Sequence, residues 1–275
     1  SEFKDAIICF TRSIAIDSTF SKAYIARATC YENDNINLAI TDYELAFSFD
    51  STNIAPLYNI AKLQTEFDMN LALTTYNYIL VLSNQESKAH YEKGVLLYLN
   101  GNINNAIESF SLSIEIKKES RALNDRGTCY RKLEKYKLAI KDYLAAIKLD
   151  ASSAFIYNNL ASVYRKKGDD EKAINYYKLA IGEDEDYAIA YNNRGSLYLS
   201  KSIYDKALLD IEKAISLKPD YALAYNNRGV LKHEQKKYNE ALIDFDKAIK
   251  LNKDYAKAYL NRGITRQMTR DEEGA

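Results

Sequence analysis

Residues 222–255, ALAYNNRGVLKHEQKKYNEALIDFDKAIKLNKDY, match residues 188–221, AIAYNNRGSLYLSKSIYDKALLDIEKAISLKPDY, at 18 of 34 positions. Residues 154–187, AFIYNNLASVYRKKGDDEKAINYYKLAIGEDEDY, are a third version. A unit recurring at 34 residues confines the chain to folds that stack one supersecondary element, each copy burying its apolar face on its neighbours. One alanine tracks the unit along the sequence. Ala6, Ala39, Ala72, Ala106, Ala139, Ala173, Ala207, Ala241 and Ala275 follow one another at intervals of 33 or 34.

With that alanine numbered position 20, the chemistry of the unit becomes legible. Position 8 is Ala28, Ile60, Gly94, Gly127, Ala161, Gly195, Gly229 and Gly263, and position 27 is mostly Ala or Ser. Small residues at 8, 20 and 27 let two helices approach closely. Aromatics fill the gaps: Tyr157, Tyr191, Tyr225 and Tyr259 at position 4, Tyr130, Tyr164 and Tyr198 at 11, and Tyr143, Tyr177 and Phe245 at 24. Positions 4, 8 and 11 share one helical stripe, and 20, 24, 27 and 28 share another. Each unit is therefore expected to be an A helix, a short turn at positions 14–17 and a B helix.

This pattern of large, small and aromatic positions resembles the tetratricopeptide repeat family over essentially the whole chain. The resemblance implies an all-α fold, a right-handed superhelical solenoid whose A helices line a concave groove. It also implies a protein-binding scaffold, similar to the superhelical arrays of the O-GlcNAc transferase and the peroxisomal import receptor, whose grooves carry asparagines. The expected boundaries are a lone B helix in 1–19, repeats at 20–52, 53–86, 87–119, 120–153, 154–187, 188–221 and 222–255, and a lone A helix in 256–275. The unit at 53–86 departs from the pattern, with Ile60 and Ile79 at small positions and Pro56 at position 4, and looser or shifted packing is expected there. The usual proline at position 32 occurs once, as Pro219. Asp186, Asp220 and Asp254 at position 33 are expected to cap the following A helices through a carboxylate oxygen. Ser1, Glu2 and Phe3 look like a cloning remnant, and the lone helices at the two ends suggest a piece of a longer protein. They also suggest head-to-tail self-association, a heterologous contact that does not close.

Composition narrows the function. Formal net charge is zero, which argues against a general nucleic-acid binder. The charge is uneven: residues 1–120 hold 9 basic against 15 acidic side chains, and residues 121–275 hold 29 against 23. No apolar run reaches the roughly 20 residues of a membrane span. Cys9, Cys30 and Cys129 lie at helical positions without pairing spacing, which suits reduced thiols and a cytoplasmic protein. With two histidines, His90 and His233, no metal-ligand spacing and no glycine-rich phosphate loop, no metal, cofactor or catalytic residue is expected, and the chain does not read as an enzyme. The acidic run Glu183–Asp186 reads as a solvated junction.

The A-helix positions turned away from the 4/8/11 stripe are where binding is expected. Position 6 reads Glu92, Asp125, Asn159, Asn193, Asn227 and Asn261, and position 5 reads Asn124, Asn158, Asn192 and Asn226. Asparagine is a poor helix former, so its repetition in mid-helix needs a reason. Two are open: its amide can grip the backbone of an extended peptide, or it can bond to neighbouring helices and set their register. Phe155, Ile189 and Leu223 at position 2 form an apolar stripe for partner side chains, and Arg131, Lys132, Arg165 and Lys166 at positions 12 and 13 favour an acidic partner. Position-7 arginines (Arg126, Arg194, Arg228, Arg262) are expected to pair with nearby carboxylates. The family's carboxylate clamp for chaperone tails needs lysines that this sequence lacks, since position 6 is never basic. Three roles result: a scaffold binding an extended segment in the groove, an architectural scaffold that assembles head to tail, or the substrate-recruiting arm of a larger enzyme.

Overall fold

The computed structural model describes the backbone of residues 2–273 and the side chains of residues 3–269. Ser1 and Ala275, the last of the periodic alanines, lie outside the described residues. Sixteen α-helices and no strand occur among the described residues. They are α1 Glu2–Ile16, α2 Ser21–Tyr31, α3 Ile36–Phe49, α4 Ala55–Thr65, α5 Met69–Leu82, α6 Ser87–Leu99, α7 Ile103–Ile116 and α8 Ser120–Lys132. Then follow α9 Tyr136–Leu149, α10 Ala154–Lys166, α11 Asp170–Glu183, α12 Ala188–Ser200, α13 Tyr204–Leu217, α14 Ala222–Glu234, α15 Tyr238–Leu251 and α16 Ala256–Glu273. Helices α6, α8, α10, α12 and α14 carry positions 1–13 of the unit, α2 and α4 are shorter by two residues, and α16 runs on through position 18. The odd-numbered helices carry positions 17–30, α1 starting one earlier. The chain divides into two compact units, Ser1–Cys129 and Tyr130–Ala275.

Within each unit the periodic small residues do what their size allows. Ala39, Ala72, Ala106, Ala139, Ala173, Ala207 and Ala241 are all fully buried. In the first unit Tyr43, Tyr76, Ile79 and Phe110 fill the space between helices, and in the second Tyr143, Tyr177, Ile211 and Phe245 do so. The repeat at 53–86 keeps this arrangement by exchange of volume. Ile60 and Ile79 are buried in one cluster with Tyr43 and Tyr76, and Pro56 sits in the first turn of α4, where no N–H is needed. Its A helix has 11 residues, as does α2, against 13 for α6.

The turns recur with one backbone device. Gly101 and Gly168 take φ of 78° and 79°, and at the same place in other repeats Glu134, Ser202 and Lys236 take 57°, 58° and 62°. Each ends its helix with a pair of backbone bonds, as Lys236 N–H to His233 O (2.8 Å) and Lys237 N–H to Lys232 O (2.9 Å). The left-handed conformation costs a side-chain-bearing residue about 1–2 kcal/mol. Part of this is regained when the site is glycine, so Lys236→Gly, at an exposed turn, should raise stability by about 0.5–1 kcal/mol in chemical denaturation. The helix starts differ from expectation. Asp186 and Asp220 do not cap with their carboxylates: the cap positions fall on Tyr187 and Tyr221, and the aspartates' backbone carbonyls accept from Ala188 and Ala222 at 2.8 and 3.1 Å. The Asp254 carbonyl likewise accepts from Ala256 at 2.9 Å. The helices begin later than position 33, so the carboxylates lie before the first orphan N–H.

Two core tyrosines set an alkaline limit. Burial, then a hydrogen bond to Glu32, pushes Tyr43 up to about 12, and burial, then the charge of Glu92, pushes Tyr76 up to about 12. A raised folded-state pKa leaves this contribution intact below the ordinary tyrosine value near 10 and removes it as pH rises toward 12. Stability is expected to fall across that window. Paired phenolate-absorbance and helicity titrations should show the fall, and Tyr43→Phe should make it shallower.

Candidate functional site

The second unit presents its A helices α10, α12, α14 and α16 in succession, and a chain of amides links them. Asn193 donates its amide N–H to Asn158 Oδ1, Asn227 to Asn192 Oδ1 and Asn261 to Asn226 Oδ1, each at 2.9 Å. Position 6 of one repeat thus bonds position 5 of the repeat before it. The first unit uses the same link with other side chains, Tyr91 Oη donating to Asp125 Oδ2 at 2.7 Å. Asn158, Asn192 and Asn226 are 5, 2 and 1% exposed, whereas Asn159, Asn193, Asn227 and Asn261 are half-buried. The register role is thereby visible at both positions, and the position-6 side chains remain at the surface.

Arginine–aspartate forks anchor the same helices. Arg194 Nε and Nη2 bond the two carboxylate oxygens of Asp210, both at 2.7 Å, and Arg228 bonds Asp244 at 3.0 and 2.7 Å. Arg27 and Asp42 repeat the fork in the first unit at 2.7 and 2.8 Å. Burial works against the Arg194 charge, and the bonded Asp210 carboxylate outweighs it and raises the pKa. Arg262 instead bonds Asp246 at 2.6 Å. These arginines are committed to the scaffold.

Beside the forks lies a cleft of about 450 Å³. Its walls come from four consecutive A helices: Arg165, Ser196, Asn227, Glu234, Lys257 and Asn261, with the start of α13 closing one side through Tyr204. Arg165 donates to Ser196 Oγ at 3.2 Å and approaches the backbone oxygens of Asn193 and Ser196 only at 3.5 Å. A guanidinium so loosely held can exchange these contacts for a carboxylate. Asn227 and Asn261 reach the cleft already oriented by their bonds to the preceding repeat. Lys257 stands at position 2, the position of Phe155, Ile189 and Leu223, which are 42, 37 and 44% exposed. An apolar stripe and a polar cleft therefore share one face.

The remaining basic residues fall elsewhere. Lys132 and Lys166 are exposed, and Arg131 is half-buried with its Nε enclosed and without a hydrogen-bond partner among the described residues. Of the four basic residues expected to act together, Arg165 alone lines the cleft. Ser196, Glu234, Lys257 and Tyr204 were not singled out from sequence. For Ser196, Glu234 and Lys257 a signal was available, since positions 9, 13 and 2 were already turned from the core, but the residue type there changes along the repeats. Tyr204 shares position 17 with Tyr136 and Tyr238, at the start of a B helix. Cys9 is exposed, Cys30 half-buried and Cys129 buried, and none is in a disulfide among the described residues. No helix among the described residues is long and apolar enough to cross a membrane.

Comparisons with known proteins agree with this construction. Family models described as TPR repeat match residues 127–168, and models described as tetratricopeptide repeat match 87–120, 156–187, 188–221 and 222–255. Between them they cover more than half of the chain. No curated protein matches the sequence. Among solved structures, a tetratricopeptide repeat protein from Parabacteroides merdae is similar over 90% of this chain and 98% of its own, with 21% identity and a TM-score of 0.72. MamA is similar over 62% of this chain and 94% of its own, with 27% identity and a TM-score of 0.51. YrrB, described as a TPR protein with an unusual peptide-binding site, is similar over 66% of this chain and 95% of its own, with 24% identity and a TM-score of 0.54. Repeat period, paired helices and family matches converge, and the chain belongs to the tetratricopeptide repeat family.

Proposed function

We propose that this chain is an interaction scaffold that holds an extended, acidic peptide segment of a partner protein along the A-helix face of its second unit. Proteins of tetratricopeptide repeats generally mediate protein–protein interactions and are typically non-enzymatic. A peptide-binding site is described for YrrB, which has this fold. The observation that carries the reading is the cleft, where Arg165, Lys257, Asn227 and Asn261 converge from successive repeats. Amides spaced one per repeat suit the regular N–H and C=O groups of an extended backbone, Arg165 and Lys257 suit carboxylates, and Glu234 suits a basic or hydrogen-bond-donating group beside them. Phe155, Ile189 and Leu223 offer apolar surface further along the same face. Cysteines outside any disulfide among the described residues support a reducing compartment such as the cytoplasm.

The test is to select linear peptides from a random display library on the full chain and to measure one selected peptide by fluorescence anisotropy. Asn227→Ala and Arg165→Ala together should weaken it by roughly tenfold, at about 0.5–1.5 kcal/mol for each neutral bond and more for a charged one. Asn158→Ala, a buried register residue whose partner Asn193 does not line the cleft, should lower thermal stability while leaving the affinity of the folded protein within about twofold. Equal affinity of the cleft variant and the parent, with helicity intact, would overturn the proposal.

A further inference from the structure

Position 12 carries a guanidinium in two successive repeats, Arg131 on α8 and Arg165 on α10. The position-7 arginines Arg194, Arg228 and Arg262 each hold an aspartate, whereas neither position-12 arginine is in an ion pair among the described residues. Arg165 reaches Ser196 Oγ at 3.2 Å. Arg131 is held less, its Nε enclosed and without a hydrogen-bond partner among the described residues. A donor shut from water without an acceptor is costly, and a ligand oxygen removes that cost.

Both arginines act on one hydroxyl of the second unit. Tyr177, at position 24 on α11, is buried, and its Oη lies 3.2 Å from Ser162 Oγ. Burial raises the Tyr177 pKa, and the Ser162 hydroxyl, then Arg165, then the charge of Arg131 act against it. Two cations and two hydroxyls are thus gathered in one place. A carboxylate, with one charge and two oxygens, uses only part of this donor set. A phosphate monoester brings nearly two charges and three terminal oxygens, which match two guanidinium groups. Lys132 and Lys166, exposed at position 13 of the same helices, add to the positive field. Arg165 also lines the cleft, so an anion held here is within reach of a peptide lying in it.

We propose that Arg131 and Arg165, with the Ser162 and Tyr177 hydroxyls, form a subsite for a doubly charged oxyanion, supplied by a phosphorylated side chain of the bound peptide. The source rests on the peptide reading above; free phosphate offers the same chemistry. Two measurements on the full chain separate them. In the first, inorganic phosphate is titrated at constant ionic strength while the arginine Nε signals are followed by nuclear magnetic resonance. The Arg131 signal should move to saturation with phosphate and not with chloride. In the second, phosphoserine replaces each residue of a selected peptide in turn. At one position it should tighten binding at least about tenfold over serine. Arg131→Gln, with helicity intact, should cut that gain to below about threefold, and Arg131→Lys should keep more of it. An Arg131 signal indifferent to phosphate, no position that gains from phosphoserine, or a gain that survives Arg131→Gln would each overturn the proposal. A phosphate response at Arg131 with no peptide bound, phosphorylated or not, would instead overturn the peptide reading and leave the subsite with free phosphate as its ligand.

Discussion

Arg194→Leu is expected to destabilise the second unit by about 3–5 kcal/mol, the usual cost of leaving a buried charge without its partner. The Asp210 side chain is 5% exposed and Arg194 16%, so water cannot replace the missing guanidinium. Both carboxylate oxygens are held at 2.7 Å by a planar fork. Arg194→Lys should recover only part of the loss, because an ammonium cannot bond both oxygens in that geometry. Removing both charges, in Arg194→Leu with Asp210→Leu, should recover most of it, since the cost lies in the unpaired ion rather than in the absent pair. Chemical denaturation combined with amide exchange checks this repeat by repeat, as arrays open locally. A loss below about 1 kcal/mol for Arg194→Leu would place the pair among ordinary surface ion pairs.

Gly229→Leu should be of similar size, about 3 kcal/mol or more, although leucine is the better helix former by close to 1 kcal/mol. A bare Cβ would already stand 2.6, 2.8 and 3.0 Å from three atoms of the fully buried Phe245 ring, and a leucine adds three more carbons to that space. The ring cannot withdraw without opening the contact between α14 and α15. Shrinking the neighbour should help: Gly229→Ala is expected to be destabilising alone and nearly neutral with Phe245→Leu, a coupling that a double-mutant cycle measures. A Cβ on Gly263 would meet nothing among the described residues within 4 Å, and Gly263→Leu beside Gly229→Leu tests what position 8 does.

The repeat, its two helices and its buried small residues were legible because steric demand at positions 8, 20 and 27 leaves little choice of side chain. The conformation at position 15 was not. Glu134, Ser202 and Lys236 adopt the left-handed backbone that Gly101 and Gly168 adopt, and nothing in a glutamate or lysine signals it. The asparagines stood out by their poor fit to a helix interior, and bonding to a neighbouring helix was one of the two readings left open, but which asparagine pairs with which was not legible. A bond from residue i to residue i+35 depends on how two A helices are rotated against one another, which no single-helix pattern contains. The cleft was half legible. Asn227, Asn261 and Arg165 were expected at a binding face, whereas Ser196, Glu234 and Lys257 complete it from positions where no single residue type runs through the repeats.

The central claim is that partners are held on the A-helix face of the second unit, and a photo-crosslinker tests it most directly. Benzoylphenylalanine is placed either at Leu223, 44% exposed on α14, or at Leu209, 70% exposed on the B helix α13, and irradiated with a selected peptide bound. Covalent capture from position 223 and none from 209 is the predicted result, with the crosslinked peptide displaced by excess unlabelled peptide. Capture from 209 and none from 223 would contradict the account, because the peptide would then lie on the face built by the B helices.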